Sequence, residues 1–153
     1  MDMLQLLVEH EEWVYAGMFL NALVAATFFP AASEAVLAGL VYKEIGSPLW
    51  LFGVATTGNV LGSIVNWYLG RGISHLRHKK WFPLKEKQYQ KAHDMFERYG
   101  EWSLLFSWVP FIGDPLTIVA GALQIPFKPF IILVTIGKAI RYAVVIAGGL
   151  WFT

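Results

Sequence analysis

The sequence predicts an all-α polytopic integral membrane protein, built from transmembrane helices and two broken, re-entrant-like segments. Composition is the first observation behind that expectation. The chain is 56% hydrophobic with a mean hydropathy of +0.50, above the roughly 45–50% apolar share of soluble domains, and its 15% charged content falls short of their usual quarter or so. The second is a long apolar run, Leu49 to Leu69, of the length that crosses a bilayer. The third is a pair of apolar stretches cut by proline and glycine, which suits backbone that enters the membrane without a regular helix.

Taken in order, Trp13 to Phe29 is apolar and stops at Pro30, which removes a backbone donor and disfavours helix just before it. Ala31 to Tyr42 is apolar again, but it carries Ser33 and Glu34 and is too short to span alone. A polar turn, Lys43 to Pro48, leads into the full span, where Gly58 and Gly62 form a GxxxG pair suited to close helix approach. Residues 71–100 face water: Tyr89, Ala92, His93 and Phe96 recur at helical spacing and predict an amphipathic helix over Glu86 to Tyr99. Trp81, Phe82 and Tyr89 among the lysines suit rings at headgroup level. Trp102 to Leu123 is a second apolar stretch, broken by Pro110, Gly113, Asp114 and Pro115. A short break over Gln124 to Pro129 precedes a last span from Phe130 to Phe152. The layout of broken segment, span, basic loop, broken segment and span resembles the inverted-repeat plan of transporters. One membrane domain over 1–153 is expected, with an acidic segment at 1–12.

Eight of the twelve Lys and Arg fall between Arg71 and Arg98, against three acids there, so the positive-inside rule places the 71–100 loop in the cytoplasm. Such a loop also attracts anionic headgroups, at about 1 kcal/mol per cation. It offers no groove or stacking surface for nucleic acid. The N-terminus lacks a basic region and an A-x-A-like site, so no cleaved signal peptide is expected. With no cysteine, thiol chemistry and thiolate metal sites are excluded. His75, His78 and His93 lie in the basic loop without a carboxylate pattern of metal-ligand spacing, so no metal or other cofactor is expected. No nucleophile–base pair, phosphate loop or His-Glu metal motif appears, which argues against an enzyme.

Four charges inside apolar stretches carry the functional expectation: Glu34, Asp114, Lys138 and Arg141. An intramembrane charge costs at least about 2.5–3.5 kcal/mol on insertion scales, so such residues usually line a polar pathway. Lys138 and Arg141 are three apart and share a helical face. Glu34 and Asp114 each follow a helix-breaking element. In one cavity the four would neutralise one another, and a phosphate could replace a carboxylate partner of Arg141, whose fork suits bidentate binding. Glu34 or Asp114 could exchange protons as the coupling ion. The blander readings are structural ion pairs, a snorkelling Lys138, and an Asp114 that caps the helix restarting at Pro115. Asn59 and Asn66 share a face of the second span and suit interhelical hydrogen bonds or ligand contact; Gly58 and Gly62 suit packing, within the chain or in a homo-oligomer.

Ser107-Trp108-Val109-Pro110-Phe111-Ile112-Gly113, followed after six residues by Ala120-Gly121, resembles the second re-entrant motif of the DedA family, the VTT or SNARE-associated-type membrane proteins. Ser33-Glu34 with Ala38-Gly39 is similar to its acidic first segment, and Gly58-x-x-x-Gly62 with Leu69-Gly70-Arg71 to its glycine-rich helix. The resemblance covers about Phe28 to Arg141 and is nearest the short YqaA-type branch, through Gly58-Asn59, Ser107-Trp108, Gly113-Asp114 and the run Gly137 to Tyr142. Ser107 and Gly113 stand where the family motif has arginines, and Ser63 where an acid usually follows. The resemblance implies a bacterial inner-membrane protein that moves an anionic, phosphate-bearing lipid, often with proton dependence, and Lys138 and Arg141 would supply the missing cations from another helix. The alternative is a non-transporting assembly factor or scaffold with structural ion pairs.

Overall fold

The computed structural model describes residues 5, 9–26, 32–73, 85–109 and 112–152. Pro30, Pro110, His75, His78, Trp81 and Phe82 lie outside these residues. The described chain is helical: α1 (Glu11–Ala25), α2 (Ala32–Tyr42), α3 (Pro48–Ile73), α4 (Glu86–Tyr99), a 3-10 helix (Gly100–Trp108), α5 (Gly113–Ala122) and α6 (Phe127–Trp151). Helices α3 and α6 are long and apolar enough to cross a membrane. At 1.5 Å per residue each is nearly 40 Å long, against about 30 Å of hydrocarbon.

The two short helices end alike. After α2, Glu44 takes a left-handed conformation (φ 57°) while Ile45 N–H donates to Leu40 O at 2.9 Å and Glu44 N–H to Val41 O at 3.1 Å. After α5, Gln124 does the same (φ 60°), with Ile125 N–H on Ala120 O and Gln124 N–H on Gly121 O, both at 3.0 Å. Both are Schellman closures, which satisfy carbonyls that a helix end orphans. Each is followed at once by a long helix. The offset from Glu34 to Glu44 equals that from Asp114 to Gln124, so both carboxylates sit at the same height below equivalent caps.

The last helix begins earlier than expected, at Phe127 rather than Phe130. Pro126 stands at its N-cap and Pro129 inside its first turn, where a missing N–H loses no intrahelical bond. The second break therefore shrinks to the cap itself. At the other end of the chain, α1 closes at Ala25, short of the expected Phe29; residues 27–31 fall outside the described part.

Helix directions follow from the contacts. Gly58 packs on Phe19 O, Asn59 Nδ2 donates to Ala22 O at 2.9 Å, and Asn66 Nδ2 donates to Ala26 O at 2.9 Å, so α1 and α3 run parallel. A Cβ on Gly58 would stand 2.5 Å from Phe19 O, and one on Gly62 would stand 2.6 Å from Leu23 O. The GxxxG face is thus used within the chain. Helix α2 returns to the turn beside Tyr15, whose hydroxyl accepts from Ser47 N–H at 2.9 Å. It runs parallel to α6, with Ser33 against Tyr142 and Val41 against Gly149. Helix α5 runs parallel to α3, with Thr117 against Asn66 and Ile118 and Ala122 against Gly70. Each short helix thus packs along the long helix of the other half.

Helix α4 presents the expected amphipathic pattern, but its apolar face is internal. Tyr89, Ala92 and Phe96 are buried in a core with Leu104, Leu116, Ile118 and Phe130. Tyr89 is therefore a core residue rather than a headgroup-level ring. A second core joins α1, α2, α3 and α6 through Met18, Leu37, Leu51 and Tyr142.

Candidate ion-pair site

All four charges set in apolar stretches meet in two pairs near the middle of α6. Lys138 Nζ lies 2.5 Å from Asp114 Oδ1, with Lys138 wholly buried and Asp114 only 6% exposed. One turn further, Arg141 Nη2 pairs with Glu34 Oε1; the Glu34 side chain is 22% exposed and that of Arg141 4%. The i, i+3 spacing that put both cations on one face is what lets a single helix serve two short ones.

Neighbouring polar groups hold the pairs in place. Ser33 Oγ and Tyr142 Oη lie 2.8 Å apart beside the Glu34–Arg141 pair. Thr117 Oγ1 donates to the main-chain O of Asp114 at 2.6 Å and receives Asn66 Nδ2 at 3.1 Å, tying α5 to α3. Ser63 Oγ donates to Asn59 O at 3.0 Å. Thr117 and Tyr142 were not singled out from the sequence; their signal was helical adjacency, three residues after Asp114 and directly after Arg141.

Two simpler readings give way to this geometry. Asp114 does not cap α5: the cap position is Ile112, with no side-chain cap bond, and the Asp114 carboxylate turns to Lys138. Lys138 does not snorkel, since its ammonium is enclosed. Ser107 and Gly113 face each other: a Cβ on Gly113 would collide with Ser107 O, and one on Gly137 with Ser107 Oγ. The positions without arginine thus crowd against α6 just before Lys138. Ser107 Oγ is buried and has no hydrogen-bond partner among the described residues.

An open groove of about 730 Å³ runs between α2 and α6. Glu34 lines it, together with small and apolar residues including Ala38, Gly148, Val145 and Phe152. On α4, His93, Asp94 and Glu97 bring their ligand atoms within 4.8 Å of one another. His93 Nδ1 stands 3.6 Å from Glu97 Oε1, one helical turn away, and the two acids are exposed. That places the cluster on a single helix, apart from the buried pairs.

Residues 29–150 match the profile of the VTT domain. The chain is 36% identical over 142 residues to the inner membrane protein YqaA of Escherichia coli, covering 89% of this chain and 94% of that one. It is 33% identical over 135 residues to an uncharacterized protein of Haemophilus influenzae, with 82% and 80% covered. It is 32% identical over 137 residues to undecaprenyl phosphate transporter A of Staphylococcus aureus, with 82% of this chain and 68% of that one covered. No solved structure matches.

Proposed function

This chain belongs to the VTT-domain, or DedA, family of membrane proteins, and on that premise we propose that it moves an anionic, phosphate-bearing lipid between leaflets as a transporter or scramblase. The observation that carries the reading is the placement of two opposite-charge pairs on one face of α6, each carboxylate coming from the first turn of a short helix. Neutral at rest, such pairs are compatible with a low-dielectric surround, and a phosphate can exchange for the Glu34 carboxylate on Arg141 without leaving a net charge behind when that carboxylate takes up a proton as it lets go. Glu34 borders the groove and is the carboxylate placed to trade Arg141 for a proton, which would couple movement to a proton gradient. The naming of the Staphylococcus relative as an undecaprenyl phosphate transporter points to the same ligand chemistry.

In this reading α1–α2 and the 3-10–α5 unit enter the bilayer from opposite sides as re-entrant segments, while α3 and α6 cross it. The matched caps and the crosswise packing of short on long helices favour an inverted repeat. By analogy with the inner-membrane relative, the compartment is the bacterial inner membrane, with the 71–100 loop cytoplasmic.

A second reading, a non-transporting assembly factor or scaffold, draws on the complete burial of Lys138, which suits a structural pair. Reconstitution separates the two. Purified protein in liposomes should move labelled phosphate-bearing lipid, and Glu34→Ala or Arg141→Ala should abolish movement while the protein remains monodisperse. Wild-type rates in both variants would remove the assigned roles. No movement by the wild-type protein would favour the scaffold.

A further inference from the structure

A lysine-lined cavity lies outside the buried pairs. Where the N-terminal half of α4 meets the start of α5, a cavity of about 330 Å³ opens, lined from α4 and its N-cap by Lys85, Lys87, Gln88, Lys91 and Ala92 and from the start of α5 by Ile112 and Pro115. Ile112 and Pro115 bracket Asp114 in the chain, so the apolar wall of this cavity is the outer surface of the turn that carries the buried pair.

Its lysines gather at the start of a helix. A helix N-terminus carries partial positive charge and favours acids, whereas lysines belong at the other end. Here Lys85 stands at the N-cap and Lys87 in the first turn, on either side of Glu86, the acid of that turn. Among the described residues no ion pair engages Lys85, Lys87 or Lys91. The nearest acids in sequence, Glu86 and Asp94, do not line the cavity, and Asp114 is committed to Lys138 behind it. Three ammonium groups around one cavity, reinforced by the helix end, favour an anion, and the apolar wall favours one with a hydrocarbon part beside its charge.

We infer that this lysine-lined cavity binds the phosphate group of an anionic amphiphile and stages it next to the Asp114–Lys138 pair. The identification of the ligand as a phosphate-bearing lipid rests on the transport reading above; the preference for an anion stands on the cavity alone. The three lysines make the charge contact, while Ile112, Ala92 and Pro115 receive the first carbons of the tail.

Lysine-reactivity footprinting on the full chain in phosphatidylcholine nanodiscs tests this. Acylation is followed by mass spectrometry with and without inorganic phosphate in one arm and short-chain phosphatidate in the other. Lys43 and Lys128, outside the cavity, serve as controls. Protection of Lys85, Lys87 and Lys91, with the controls unchanged, supports the site. Protection by both probes shows that phosphate suffices, and protection by phosphatidate alone shows that the tail is needed. Equal protection of the controls would mean diffuse charge screening and overturn the site. At roughly fivefold in affinity per lysine, the K87Q/K91Q variant should bind phosphatidate on the order of 25-fold more weakly. Both positions are exposed, so this variant keeps the core, and unchanged affinity refutes the inference. Lipid movement is read separately. Normal movement without cavity protection overturns this site and leaves the transport reading standing; protection without movement by the wild-type protein does the reverse.

Discussion

Replacing Lys138 by methionine isolates what the deepest ion pair contributes. The ammonium is wholly enclosed and lies 2.5 Å from Asp114 Oδ1. The nearby Thr117 hydroxyl donates to the main-chain O of Asp114 rather than to its carboxylate. Methionine keeps much of the lysine stem's volume, so the change is electrostatic more than steric. Breaking a buried pair leaves an uncompensated charge and costs about 3–5 kcal/mol, whereas replacing both partners by apolar groups is often neutral or stabilising. Lys138→Met should therefore lose about 3–5 kcal/mol, and adding Asp114→Leu should recover most of it, leaving a coupling energy above about 2 kcal/mol. The assay is reversible unfolding in mixed micelles of dodecylmaltoside and a denaturing detergent, followed by tryptophan fluorescence for both single variants and the double. A Lys138→Met protein within about 1 kcal/mol of wild type, or a double variant no better than the single, would refute the reasoning. The same double variant also separates structure from function. If the charges serve only to hold helices in register, it should move lipid as the wild type does.

Two further outcomes follow from packing. Gly62→Leu should drive α1 off α3, because even a Cβ would stand 2.5 Å from that of Ala26; overpacking of this kind costs about 1–3 kcal/mol, read as an earlier unfolding midpoint. Tyr142→Phe should lose about 1 kcal/mol by stranding the buried Ser33 hydroxyl, and Ser33→Ala in the same protein should restore most of it.

The element order was legible because breakers and hydrophobic runs act locally. Glu86 to Tyr99 needed only its spacing, and Ala32–Tyr42 only its flanks. The start of α6 was misplaced because Pro129 reads as a break, although a proline in the first turn sacrifices no helical bond. Tyr89 was misassigned for a different reason. An amphipathic period shows that one face is apolar, not whether lipid or protein covers it, and here the cover is Phe96's own core. At the site, the shared face of Lys138 and Arg141 followed from i, i+3 spacing. Which carboxylate each would meet did not, since that depends on how the short helices cross the long ones. The lysine cavity was invisible for the same reason: Ile112 and Pro115 join Lys85 and Lys91 only once α4 lies against α5.

The pairing that emerges constrains any carrier built on it. A single four-charge cluster would let an entering anion repel both carboxylates at once. Two separate pairs, one turn apart on α6, let one exchange while the other stays neutral. Their surroundings differ in the same sense, since the groove reaches Glu34 while the lysine cavity abuts the turn that bears Asp114. The groove lies between α2 and α6 and the lysine cavity between α4 and the start of α5, so the two openings are separate. Lys138 and Arg141 are separated by only about 4.5 Å of helical rise. A phosphate handed from one cation to the other would therefore change the opening it faces without crossing a long apolar barrier. On the transport reading this makes the order of events testable by charge. Removing Arg141 should block movement while leaving protection of the lysine cavity intact, whereas removing Lys87 and Lys91 should weaken loading and leave the Glu34–Arg141 pair undisturbed.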